Sequence, residues 1–247
     1  MFTLYGNQYE SREEHLLLTM FQSVLSSQFE TATEFGSLLR ANTPVSRMMT
    51  TYTRRGPGQS YLKSVLAERI NSLIEHKDLN LEINPVKVYE QMVIQIEEET
   101  GSLPPNLPRG VPPEVAAENS DVQAIIAPRL TMLMEIANSF LVTIIESMES
   151  VPYGIRWICK QIRSLTRVSR FRHLIRGPAT QLHIPFKRKY PEATDYAICS
   201  LIGGFFFLRF INPAIVTPQA YMLVDGVPAK FPRRTLTLVG GNFPSYI

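Results

Sequence analysis

The feature that most constrains this chain is an apolar run, Ile198–Phe206, leading directly into Phe-Leu-Arg-Phe-Ile-Asn-Pro-Ala-Ile-Val-Thr-Pro, Phe207–Pro218. A membrane span needs about 20 apolar residues, and this run is shorter. Tyr196, Ala197, Leu201, Ile202, Phe205, Phe206 and Leu208 recur at helical spacing, so the run reads as a buried helix. Arg209 then sits near its C-terminal end, just before Asn212-Pro213. An unpaired buried charge is costly, so this guanidinium must reach solvent or be hydrogen-bonded. On the residues alone two readings stay open. Arg209 complements the negative end of the helix dipole, or its five donors clamp carbonyls of a neighbouring functional loop.

The rest of the chain reads as helices. Ser11 and Glu14 have capping-box spacing before the stripe Leu17, Met20, Phe21, Val24, Leu25. Arg40-Ala41-Asn42-Thr43-Pro44 has turn chemistry, and Thr43 can cap the helix that Pro44 begins. Arg40 therefore projects from a loop between two helices. Arg47, Arg54 and Arg55 read as a solvated face or as a basic rim for an acidic partner. Gly56-Pro57-Gly58 breaks the chain before a stripe from Tyr61 to Ile74. Asn84-Pro85 opens a further helix, and Gly101 stops it. The Pro-rich stretch 101–113 reads as a loop within one domain. A long pattern from Asp121 to Met148 follows, with Leu130, Leu133, Ile136, Ala137, Phe140, Leu141, Ile144, Ile145 and Met148 as its buried face. Met132, Met134 and Met148 read as core filler. Pro152 ends this helix, and Ile155, Trp157, Ile158, Ile162 and Leu165 mark the next.

Bulk properties narrow the function classes. In 247 residues, 45% are hydrophobic and 19% charged, enough for a packed core. The net charge of +3 is only mildly basic, and no basic stripe with interleaved aromatics supports nucleic-acid binding. Cys159 and Cys199 lack metal spacing and read as reduced core residues of a cytoplasmic protein. No signal peptide is expected from the N-terminal residues. No hydrolase triad, phosphate loop or metal motif is present, so neither a cofactor nor an independent catalytic centre is expected.

The string Phe207, Leu208, Arg209, Pro213, Ala214 closely resembles the signature of Ras-type GTPase-activating domains. Leu4–Leu18 and Val151–Ile162 look like the IQGAP-related branch, and the resemblance covers most of Tyr5 to Leu238. It implies an all-α RasGAP-type helical domain occupying residues 1–247, incomplete at the C-terminus. In the family, a Leu-Phe-Arg loop after the first long helices supplies an arginine finger to the partner's active site. Leu39, Arg40, Ala41 and Thr43 match that loop. The resemblance thus implies Arg40 as the catalytic residue, with Arg209, Ala41 and Thr43 supporting its loop. Leu208, Asn212, Pro213 and Ala214 would form the GTPase-binding framework. The partner would be the GTP form of a small GTPase of the Ras superfamily. That partner would hold the nucleotide and Mg²⁺, and would recruit the chain to the inner membrane surface without insertion of the chain itself. Many IQGAP proteins lack this Arg and bind GTPases without accelerating hydrolysis. A scaffold of that kind is the alternative function, and an inactive truncated product is a third.

Two stretches depart from the family. Residues 168–187 have no counterpart in it; they read as an unspliced in-frame intron or as a surface loop, which closure entropy tolerates. At residues 239–247 the expected Lys-containing helix is replaced by a divergent tail. Gly240-Gly241 is a poor helix continuation, and the Phe205-Phe206 helix is then expected to lose its cover.

Overall fold

A computed structural model describes residues 10–31, 42–102, 107–166 and 194–242, and every described element is helical. The reasons lie largely at the helix ends. Helix α1 spans Ser11–Thr31, and the Glu10 amide donates to Glu13 Oε2 at 3.2 Å. The expected Ser11–Glu14 box does not form. The helix begins at Ser11 itself, which makes Glu13 the third helical residue and frees Glu14 for tertiary contacts. Helix α2 (Pro44–Thr53) has the capping box expected of Thr43: the Ser46 amide donates to Thr43 Oγ1 at 3.2 Å, and the Thr43 amide donates to Ser46 Oγ at 2.9 Å.

Helix α3 spans Gly56–Glu75, so the break falls at Arg54-Arg55 and the glycines form the first turn. A Cβ on Gly58 would lie 2.0 Å from the Thr53 carbonyl oxygen, so α2 and α3 meet at an angle that needs glycine. Helix α4 (Pro85–Thr100) opens on Asn84, which accepts from the Lys87 amide at 3.2 Å, and closes on Gly101 at φ 75°. Helices α5 (Pro113–Glu118) and α6 (Ser120–Glu146) follow, with Asn119 capping the latter. A 3₁₀ turn (Met148–Ser150) leads to α7 (Tyr153–Thr166). Helix α8 (Asp195–Gly203) runs into a π-helical segment (Gly204–Ile211) and then α9 (Asn212–Val216). A 3₁₀ turn (Pro218–Tyr221) precedes α10 (Lys230–Asn242).

Helix α3 lies at the centre and packs on α2, α6, α9 and α10, while α1 packs on α7 and α2. The main core joins Leu17, Phe21 and Leu25 of α1 to Leu62, Leu66 and Ile70 of α3 and Phe140 of α6. A smaller cluster, Val88, Tyr89, Val93, Ala116, Val122 and Ile126, lies among α4, α5 and α6.

Several expectations change. Phe205 and Phe206 are covered, at 0% and 6% exposure, because α2, α3 and α7 surround the signature region. Helix α10 continues through Gly240 and Gly241, held there by packing that outweighs their poor propensity. Leu130, Ile145, Met148, Met132 and Met134 are exposed; of the nine positions expected to form the buried face, only Leu133, Ala137, Phe140 and Ile144 are fully inside, with Ile136 and Leu141 packed at the core's edge. Tyr196 and Cys199 are exposed, whereas Cys159 is mostly buried, and burial pushes its thiol up to about 12. The apolar run belongs to a continuous helix of 22 residues, Asp195–Val216, long and apolar enough to cross a membrane, as is α6. Half of the most apolar window of Asp195–Val216 is buried within the fold.

Candidate functional site

The signature lies on the π-helical segment, and its wider turn sets which side chains face inward. The Asn212 amide donates to the Phe207 carbonyl, five residues back. The inward positions are Ile198 and Leu201 ahead of the segment, Phe205, Phe206, Phe210 and Ile211 within it, and Ala214 and Ile215 after it; from Phe206 on they fall one residue later than an unbroken helix would place them. That change of register leaves Leu208 and Arg209 half-buried, beside the core rather than within it. Phe210 stacks on Tyr61 of α3 at 5.6 Å between centroids, and Phe206 meets Phe210 edge-on at 5.7 Å. Mid-helix π turns recur at functional sites, and here one carries the signature arginine.

Arg40 and Ala41 lie outside the described residues, as do 168–187. What borders Arg40 is visible. The Thr43 hydroxyl donates to Gln28 Oε1 at 3.4 Å, joining the last turns of α1 to the start of α2. Arg47 Nε donates to Asn42 Oδ1 at 3.2 Å. Helix α2 packs directly on the π-helical segment. The residues that follow Arg40-Ala41 in sequence are thus seated on the element that carries Arg209.

The signature framework is mostly internal. Asn212 is 7% exposed, and its Nδ2 donates to the Gly240 carbonyl of α10 at 2.9 Å. Ala214 is fully buried, and Leu208 and Pro213 are half-buried. Asn212 and Ala214 therefore shape the site from within, while Leu208, Pro213 and Arg209 border its surface. A Cβ on Gly240 would lie 2.7 Å from Val216 Cγ2, so α10 reaches the signature only because that residue is small.

Arg54 is exposed and Arg55 is buried, and each makes a specific tertiary contact. Arg54 lies over the Tyr221 ring at 4.8 Å and donates to its hydroxyl at 3.0 Å, fixing the turn after the signature. Arg55 is 9% exposed and donates to Glu14 Oε2 at 2.7 Å. Tyr52 donates its hydroxyl to Glu14 Oε1 at 2.5 Å. Burial, then this bond to a carboxylate, raises the Tyr52 phenol well above its ordinary value. These groups line a cavity of about 510 Å³ with Tyr153, Gly154 and Pro57. A Cβ on Gly154 would lie 1.6 Å from Tyr52 Oη, so the first turn of α7 carries glycine where the phenol passes.

A second polar cluster has only a faint trace in the sequence. Glu82 is 5% exposed and accepts a fork from Arg234 of α10, Nε to Oε2 and NH2 to Oε1, each at 2.8 Å. Its Oε1 also accepts from the amides of Ile83 and Asn84 at 3.2 and 3.0 Å. Arg129 of α6 donates to the Glu82 carbonyl at 3.1 Å, and Lys87 Nζ lies 3.8 Å from Oε2. Burial alone would raise the Glu82 pKa; the Arg234 fork, the Asn84 amide and the neighbouring charges outweigh it and hold the carboxyl below its usual value. A carboxylate flanked by Leu81 and Ile83 is the one available signal. Among the described residues, no group of His, Cys, Asp and Glu could hold a metal ion.

The signature lies on a π-helical segment within an all-helical fold, the class that an all-α RasGAP-type domain requires, and the family itself comes from comparison with known proteins. The family model described as GTPase-activator protein for Ras-like GTPase matches residues 20–240, and the chain belongs to that family. Over 224 residues, 90% of the chain, it is 36% identical to Ras GTPase-activating-like protein gapA of Dictyostelium discoideum. It is 34% identical to rgaA of the same organism over 91% of the chain, and 29% identical to human IQGAP3 over 91%. The chain spans 24% of gapA, 25% of rgaA and 12% of IQGAP3.

Proposed function

We propose that this chain stimulates GTP hydrolysis by a Ras-type small GTPase, with Arg40 entering the partner's active site. Family membership supports a GAP-related or GTPase-binding role, and the presence of Arg40 favours activation. The supporting structural observation is one juxtaposition. Helix α2, rooted by the Thr43 box just after Arg40-Ala41, is seated on the segment that carries Arg209. In phosphoryl transfer, charge grows on the equatorial and leaving oxygens, and a planar guanidinium can donate to several of them at once. Its effect depends on being positioned before the reaction begins. In this reading Arg209 holds the finger stretch and does not touch the nucleotide.

Single-turnover hydrolysis by a GTP-loaded Ras-type GTPase tests the reading. The unaltered chain should accelerate hydrolysis, and Arg40→Ala should lose most of that acceleration while still binding. Arginine fingers of this class supply about 10³ to 10⁵ in rate, a magnitude measured on such activators and not obtained from the present geometry. Binding of the GTP form without acceleration by the unaltered chain would establish the scaffold reading instead.

A further inference from the structure

We infer that Glu82 is a positioning residue for the partner-binding face, acting through Arg234, helix α10 and Asn212. The inference rests on the proposed GTPase-directed function and adds residues far from the signature in sequence.

The path is continuous in space. The Glu82 carboxylate is held by two backbone amides, and Arg129 separately holds the residue's main-chain carbonyl, so Glu82 is a fixed point on the chain. Its other valences grip Arg234 in a two-bond fork, which fixes direction as well as distance. Arg234 lies in the first turns of α10, and six residues on, Gly240 presents its carbonyl to Asn212. Helix α10 is therefore secured at one end by Glu82 and at the other by the signature. Val239 and Leu236 are fully buried between these points, so a rotation of α10 cannot be absorbed locally. A shift at Arg234 would reach Asn212 and, through it, Pro213 and the half-buried border of the site.

The test uses Arg234→Met, Glu82→Gln and the double variant. A core variant such as Leu133→Ala, adjusted by temperature to the same fraction folded, serves as the reference. Two quantities are read. One is amide hydrogen exchange of the free chain over 211–217. The other is the Kd for a Ras-type GTPase loaded with a non-hydrolysable GTP analogue. Arg234→Met is expected to speed exchange over 211–217 and to raise Kd about tenfold. The double variant should be no worse than Arg234→Met alone, because both act through one fork. The reference variant should lower the binding-competent fraction and leave Kd unchanged. Unaltered exchange over 211–217, or additive effects in the double variant, would overturn the coupling. A Kd equal to that of the unaltered chain would overturn the positioning role. If the unaltered chain binds no such GTPase, the functional reading fails, and the positioning role fails with it. Exchange over 211–217 then decides separately whether the coupling itself exists.

Discussion

At the scale of single residues, small groups decide where helices can approach. Gly154→Ala places a methyl against Tyr52 Oη, and the phenol must leave Glu14; a loss of about 1–3 kcal/mol in chemical denaturation is expected. The two glycines of α10 should behave oppositely. A methyl on Gly241 would have no atom within 4 Å, so Gly241→Ala should raise stability by up to about 1 kcal/mol through helix propensity. Gly240→Ala meets the stiff Val216 side chain and should lower it. Glu82 gives a pH signature. Its folded pKa is held below the ordinary 4.5, so its stabilisation is complete above that value and is lost as pH falls through the lower folded value. A urea-midpoint profile below pH 4.5 should be shallower for Glu82→Gln than for the unaltered chain. The caps at Thr43, Asn84 and Gly101 are legible in the sequence because each uses only neighbours in the chain. Glu14 is ambiguous there, because a capping box and a tertiary acceptor need the same residue type. The Glu82–Arg234 pair is not legible, since its partners are 152 residues apart.

At the scale of elements, amphipathic stripes are readable where one face is polar. The stripes of α1 and α3 turn inward as expected, with Phe21, Leu62 and Ile70 fully buried. Helix α6 departs from expectation because it is apolar nearly all round, and periodicity cannot say which face has a neighbour. Its outward residues should be energetically quiet. Ile145→Glu is expected to change stability by no more than about 0.5 kcal/mol in thermal unfolding. Phe210→Ala, by contrast, removes a fully buried ring stacked on Tyr61 and should cost about 3–5 kcal/mol in the same measurement. Counting at about 3.6 residues per turn puts Leu208 on the inner face. The π-helical segment breaks that count, and nothing in the local composition announces it.

Across the whole molecule, the fold class is accessible from sequence, since helical periods and caps agree along most of the chain. The two thiols report on how that fold closes. Cys199 is exposed and should react with a thiol reagent in the native state, while Cys159, mostly buried and with a raised pKa, should react mainly after denaturation. A single equivalent labelled before unfolding, and a second afterwards, is the expected count. The site itself is only partly legible. Sequence locates the signature and the candidate finger, but not the contacts between helices that Arg54, Arg55, Glu82 and Arg234 provide, because those depend on which helices meet.

The widened turn at Gly204–Ile211 makes this site a matter of phase as well as chemistry. Each residue of an α-helix advances about 100° around the axis. Were the segment to close into an ordinary helix without losing a residue, either Arg209 or everything upstream of it would swing through about that angle. The signature could keep every one of its letters and still aim its arginine at the wrong quarter of the compass. For this chain, the length of the aromatic run is as much a specification as the arginine that follows it.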